Sequence, residues 1–162
     1  MAAGKLPLHE RALRLLAVRP RTRRELQTRL VRAGFDPHQV ASELDRLEEV
    51  GLVDDARFAV EFAEHALDRR LEGRRAVAAG LAAKGVDRRL IDEALQAASE
   101  DDDGDRLARL ARARAGRLAT LPTEAAYRRL VSFLVRRGHE PGAARAAAAR
   151  ALRLVADASE ST

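Results

Sequence analysis

Apolar residues recur at helical spacing along almost the whole chain, and glycine cuts the helical stretches apart. One block reads Leu26-x3-Leu30-x3-Gly34-Phe35-Asp36, followed by Val40 and Leu44. The next reads Val77-x3-Leu81-x3-Gly85-Val86-Asp87, followed by Ile91 and Leu95. A third reads Leu130-x3-Leu134-x3-Gly138-His139-Glu140, followed by Ala144 and Ala148. The glycines stand 51 and 53 residues apart. Each copy predicts an amphipathic helix, a glycine stop, an acidic cap and a second amphipathic helix. Repeats of this length bury a shared core and expose an extended surface, which points to binding rather than catalysis.

The same pattern predicts helices over about residues 8–18, 22–33, 37–50, 55–72, 74–84, 88–98, 105–118, 124–137 and 141–155. Thr22 and Glu25 form a capping-box signature, and Asp36-Pro37 pairs a capping acid with a proline at the first helical position. Asp54 and Asp55 are expected to cap the fourth helix, Gly73 to break it, and Thr123 to cap the eighth. Phe58 and Phe62 are expected in the core. The last helix is nearly all alanine and arginine. It is expected to be well formed yet loosely held, because alanine favours helix but offers little area to bury. No period-two run of branched residues predicts a strand.

The fold class expected is therefore all-α: a tandem array of three three-helix repeats, elongated and curved. The repeats are placed at 1–53, 54–98 and 106–156. An acidic loop and hinge is expected at 99–105, and a disordered tail at 157–162.

Charge adds a second pattern. The net charge is +5, but basic and acidic blocks alternate, with 37–68 and 90–105 acidic and the stretches between them basic. Lys5 and Lys84 are the only lysines, so guanidinium carries nearly all the positive charge. Guanidinium forks suit carboxylate and phosphate. Alternating signs suit a partner that displays both, unlike a uniform nucleic-acid tail. Arginine pairs at Arg69-Arg70, Arg74-Arg75, Arg128-Arg129 and Arg136-Arg137 recur near the glycine turns. These eight are the candidate partner-binding residues, against the alternative that each is a solvated helix face.

Catalytic chemistry has little foothold. Cysteine is absent, which removes thiol nucleophiles, thiolate metal sites and disulfides and fits a reducing compartment. His9, His38, His65 and His139 have no partner at metal-ligand spacing. No glycine-rich phosphate loop occurs. No catalytic residue, cofactor or metal is expected. No apolar run approaches the roughly 18 residues of a membrane span, and no signal peptide opens the chain, so a soluble cytoplasmic protein is expected.

One segment, Gly51-Leu52-Val53-Asp54-Asp55-Ala56-Arg57-Phe58-Ala59, resembles the RecX family of bacterial recombinase regulators. The opening block, Ala12-Leu13-Leu16 with Pro20-Arg21-Thr22 and Glu25-Leu26, is similar to that family's start. Gly73 with Leu81, Lys84-Gly85-Val86, and the closing Leu134-Val135-Arg136-Arg137-Gly138 extend the resemblance over roughly residues 9–155. His139 departs from it, standing where the family usually places an aromatic. The resemblance implies a non-enzymatic modulator, mainly an inhibitor, of the RecA recombinase. It implies binding in the groove of the RecA filament on single-stranded DNA, suppression of ATP hydrolysis and strand exchange, and hence regulation of DNA repair. The expected partner is RecA in that filament, with single-stranded DNA as a further partner, and the chain acting as a monomer. The rival reading is a helix-turn-helix protein that binds DNA directly. Against it, the exposed positions of the third helix are acidic and repel a duplex.

Overall fold

The computed structural model describes residues 6–98 and 102–160, the side chains of residues 159 and 160 excepted. The described residues form helices and turns without a strand. The α-helices are α1 (Leu8–Val18), α2 (Arg23–Arg32), α3 (Pro37–Glu49), α4 (Asp55–Glu64), α5 (Arg74–Ala83), α6 (Arg88–Ala97), α7 (Asp103–Ala115), α8 (Thr123–Arg136) and α9 (Pro141–Glu160). A π turn at His65–Arg69 follows α4, and a 3-10 turn at Gly116–Leu118 follows α7. The all-α expectation holds.

The leucine–x3–glycine signature has a local cause. In the turn after α2, the Phe35 amide donates to the Leu30 carbonyl at 3.2 Å and the Gly34 amide to Val31 at 2.9 Å. The same pair of bonds closes α5 (Val86 to Leu81, Gly85 to Ala82) and α8 (His139 to Leu134, Gly138 to Val135). This is the Schellman arrangement, which needs a left-handed residue at the glycine position. Gly34, Gly85 and Gly138 have φ of 87°, 78° and 90°. Leu30, Leu81 and Leu134, each four residues earlier, are fully buried. The repeat is thus one capping device used three times, with its leucine anchored in a core. Gly51 closes α3 in the same way, through Leu52 to Leu47 and Gly51 to Glu48.

The chain divides into two compact units, and the divisions fall inside α4, α5 and α6. The first holds residues 1–61 and 81–94. Its core gathers Ala12, Leu26, Leu30, Val40, Leu44, Leu47 and Val53 from α1, α2, α3 and the turn after it. Each fully buried leucine contributes about 1.5–3 kcal/mol. The capping box at α2 is complete, and the buried Thr22 hydroxyl also donates to the Lys84 carbonyl at 2.6 Å. Asp36 caps α3 by accepting from the His38 and Gln39 amides. Asp54 caps α4 through the Arg57 amide, as expected. Asp55 does not: its carboxylate accepts from the Arg23 amide at 2.9 Å and so secures the start of α2.

The second unit holds residues 62–80 and 95–162. Its core is built by α7, α8 and α9 around Leu107, Ala111, Leu118, Leu130 and Leu134, with Ala144, Ala148 and Ala151 from α9. Those three alanines are 0–2% exposed. The loosely held last helix is therefore corrected. Small side chains let its backbone approach its neighbours closely, so dispersion contacts replace bulk. The helix also continues to Glu160, beyond the expected end.

Three further expectations change. Thr123 is the first residue of α8 rather than its cap, and Pro122 precedes it without a side-chain hydrogen bond. Helix α7 opens at Asp103, inside the expected acidic loop; residues 99–101 of that loop lie outside the described residues. Phe58 and Phe62 are half-buried, because the buried stripe of this segment is Ala59, Ala63, Ala66 and Leu67.

Candidate partner-binding face

The fourth helical segment ends at Arg69, short of Gly73. The Arg70 amide closes the π turn on the His65 carbonyl, and Leu71 takes φ 51°. A left-handed leucine costs about 1–2 kcal/mol and persists only where its surroundings fix it. Here three hydrogen bonds do so. The Gly73 amide donates to the Arg137 carbonyl at 2.8 Å, His139 Nε2 meets the Leu71 carbonyl at 3.1 Å, and Arg137 Nη2 donates to the Arg70 carbonyl. Gly73 is required for proximity: a Cβ there would lie 2.1 Å from the Gly138 carbonyl oxygen. The turn after α4 and the turn after α8 are thereby locked backbone to backbone. This crossing brings the Arg137 side chain onto the Arg70 carbonyl.

Burial pushes the His139 imidazole below its usual pKa, the Leu71 carbonyl opposes this, and the Arg137 charge lowers it further. A neutral ring with its proton on Nε2 fits the contact with that carbonyl.

The eight candidate arginines separate by role. Arg74 is structural: its guanidinium pairs with Asp103 and donates to the carbonyls of Leu95 and Ala98, tying the end of α6 to the start of α7. Arg137 is structural through the turn just described. Arg70 lies 5.3 Å from the Phe62 ring centroid and pairs with Glu72 at 3.5 Å. Arg128 meets Glu124 only at 3.9 Å, with both side chains largely exposed, a pair worth little. Arg69, Arg75, Arg129 and Arg136 are exposed and make no ion pair among the described residues.

Arg128, Arg129 and Arg136 also line an open groove with Ser132, Phe133, Leu118 and Arg114. Arg114 stacks on Phe133 with its guanidinium 4.9 Å from the ring centroid. On α8 the positions 129, 132, 133 and 136 follow helical spacing and share a face. Arg114 is the contributor that the arginine-pair pattern passes over, since it stands singly on α7. Guanidiniums grouped in this way are suited to anionic groups, which they meet through charge-assisted hydrogen bonds.

Arg106 carries the opposite lesson. It is 7% exposed and is held by Asp68 at 2.7 Å and Asp103 at 3.0 Å. A solitary arginine in a basic run thus joins α7 to the π turn and is unavailable to a partner.

Fold and face together define an all-helical protein of Schellman-capped helix pairs with an arginine surface and no clustered metal ligands among the described residues. Family models give the class a name. The first three-helix domain of RecX matches residues 9–47, and the second three-helix domain matches residues 54–95. A regulatory protein RecX of Mycobacterium sp. (strain JLS) is 42% identical over 136 residues, covering 81% of this chain and 74% of the relative. That of Mycobacterium avium (strain 104) is 39% identical over 128 residues, covering 78% and 74%. The chain belongs to the RecX family of regulatory proteins. The fold agrees with the crystal structure of RecX from Lactobacillus salivarius (TM-score 0.78, 18% identity, 91% of this chain and 95% of that one). A second crystal structure, of a regulatory protein RecX, superposes with TM-score 0.76 at 20% identity over 84% and 67% of the two chains. Among the described residues, no helix is long and apolar enough to cross a membrane.

Proposed function

We propose that the chain is a non-enzymatic regulator of the RecA recombinase. It docks as a monomer in the groove of the RecA filament on single-stranded DNA and suppresses ATP hydrolysis and strand exchange. The observation that carries this reading is the set of unpaired guanidiniums, Arg69, Arg75, Arg129 and Arg136, held on the rigid Gly73–Gly138 crossing and on α8. The backbone that carries them is held in place, and each charge-assisted contact contributes about 1.5–3 kcal/mol against about 0.5–1.5 kcal/mol of lost side-chain freedom. Several such contacts on successive protomers multiply through effective concentration. Membership of the RecX family supports RecA as the partner.

The test is inhibition of RecA ATPase on single-stranded DNA, titrated with the native chain and with the double variant Arg129→Glu, Arg136→Glu. The native chain is expected to inhibit at low ratios to RecA. The folded variant is expected to need at least about tenfold more protein, two lost contacts being worth that factor or more. Equal inhibition by both would remove this face from the mechanism. Direct helix-turn-helix readout of DNA is weaker, because α3 carries four carboxylates against one arginine and stays acidic even with Asp45 and Glu48 paired to Arg23.

A further inference from the structure

The first unit holds a small cavity where the turn before α2, the turn before α4 and α4 itself meet. Pro20 and Arg21 line it from the first turn, and Leu52 and Asp54 from the second. Helix α4 adds Arg57, Phe58 and Glu61. The cavity measures about 240 Å3.

Arg21 is electrostatically incomplete. It is 7% exposed, and no acid pairs with it among the described residues. Its Nε donates to the Leu15 carbonyl at 3.0 Å, while Nη1 is buried without a hydrogen-bond partner. Burial, then the charges of Arg19 and Arg29, lower its pKa. Glu25 opposes them, but Arg19 (3.0 Å) and Lys84 (3.3 Å) already hold that carboxylate. A buried guanidinium short of both acceptors and counter-charge is costly, and a bound anion removes both deficits. With Nε taken, the edge between Nη1 and Nη2 is left. Its two parallel N–H groups match a carboxylate.

The other charged groups of the lining differ in how far they are engaged. Arg57 Nη2 donates to the Gly51 carbonyl at 3.2 Å, and the Asp54 carboxylate accepts from the Arg57 amide at 2.9 Å. Glu61 is exposed and pairs with no cation among the described residues. It follows Phe58 by three positions and Arg57 by four, so the three share one face of α4. The cavity therefore offers one unmatched cation, Arg21, and one unmatched carboxylate, Glu61. Phe58, Leu52 and Pro20 form its apolar wall.

We propose that this cavity binds a free amino acid with an apolar side chain. The ligand carboxylate takes the open edge of Arg21, its ammonium meets Glu61, and its side chain packs on Phe58, Leu52 and Pro20. A neutral molecule with two charged ends leaves neither protein charge unmatched. A simple anion would satisfy Arg21 but face Glu61 with like charge. The size agrees: drug-sized ligands occupy roughly 300–1,000 Å3, and this cavity is smaller. An occupant joins the turn before α2 to α4, so the first unit gains stability as ligand concentration rises. The site shares no residue with the arginine face of the second unit, so either reading can fail without the other.

The experiment titrates the full isotope-labelled chain with L-leucine and follows the amide resonances of Arg21, Phe58 and Glu61 by nuclear magnetic resonance. Saturable shifts at these residues are expected, with a Kd on the order of 1 mM or tighter. N-acetyl-L-leucine lacks the ammonium and L-leucinamide lacks the carboxylate. Each is expected to bind at least about tenfold more weakly than L-leucine. Glu61→Gln, a change at an exposed position, is expected to weaken L-leucine by about tenfold or more without weakening N-acetyl-L-leucine. Arg21→Lys is expected to abolish the response to L-leucine, and the dispersion of the same spectra reports whether that variant is folded. Three results would each overturn the proposal: no saturable shift at Arg21 and Phe58 in the native chain, L-leucinamide binding as tightly as L-leucine, or unchanged L-leucine affinity in Glu61→Gln.

Discussion

Replacing Gly73 by alanine probes the contact that organises the second unit's arginine face. The residue has no positive φ, so the substitution adds a methyl group without backbone strain. That methyl would stand 2.1 Å from the Gly138 carbonyl oxygen, 2.2 Å from its carbon and 2.4 Å from the His139 nitrogen. Ordinary carbon contacts are about 3.5–4 Å, so two backbone segments must separate by more than roughly 1 Å. Overpacking of this kind costs about 1–3 kcal/mol. The separation also breaks the 2.8 Å bond from Gly73 to Arg137, which leaves buried backbone groups unpaired for a further ~1–3 kcal/mol. The expected loss is about 4 kcal/mol, which for a unit of this size lowers its melting temperature by roughly 15 °C or more. Urea unfolding followed by circular dichroism measures it. Gly51→Ala is the matched comparison: nothing lies within 4 Å of its Cβ position, but φ is 73°, so only the left-handed penalty of about 1–2 kcal/mol applies. A Gly73→Ala protein within ~0.5 kcal/mol of the native chain would refute the reasoning, since that is the range of an innocuous surface change.

Other consequences follow from the same packing. Phe58→Ala is expected to cost about 1–2 kcal/mol by urea unfolding, below the ~3–5 kcal/mol of a fully buried ring, because Phe58 is half-buried. Arg106→Met is expected to lose about 2 kcal/mol as the bonds to Asp68 and Asp103 go, with the loss shrinking at high salt. His139 and Glu25 both have folded pKa values below their unfolded ones. Each therefore contributes stability above its unfolded pKa, about 6.5 and 4.3, that is lost as pH falls through the folded value. Thermal melts from pH 7.5 to 5 are expected to show the first of these losses, and His139→Gln is expected to flatten that part of the profile. A native profile level down to pH 5 would contradict the buried, neutral imidazole.

What the sequence made legible was local. Helix periodicity, the capping box at Thr22 and the glycines at 34, 85 and 138 follow from interactions within a few residues, and the Schellman bonds realise them. What it hid was tertiary. Arg74 and Arg137 are indistinguishable in sequence from Arg75 and Arg136, their neighbours. They become structural because Asp103, Leu95 and Ala98 surround one and the turn at Arg70 meets the other. Phe58 and Phe62 looked central because large apolar residues usually are. The segment instead buries its alanines, since the close approach of helices selects small side chains. A basic groove beside α2 went unread because the residues that line it, Arg11, Arg24, Arg29, Arg32 and Lys84, come from three separated stretches of the chain.

The most direct measurement is binding of the labelled chain to RecA filaments assembled on single-stranded DNA, compared with its Arg129→Glu, Arg136→Glu variant at equal fold stability. The account predicts saturable binding of the native chain that weakens with salt and is at least about tenfold weaker in the variant. Identical filament binding by the two proteins, insensitive to salt, would contradict it.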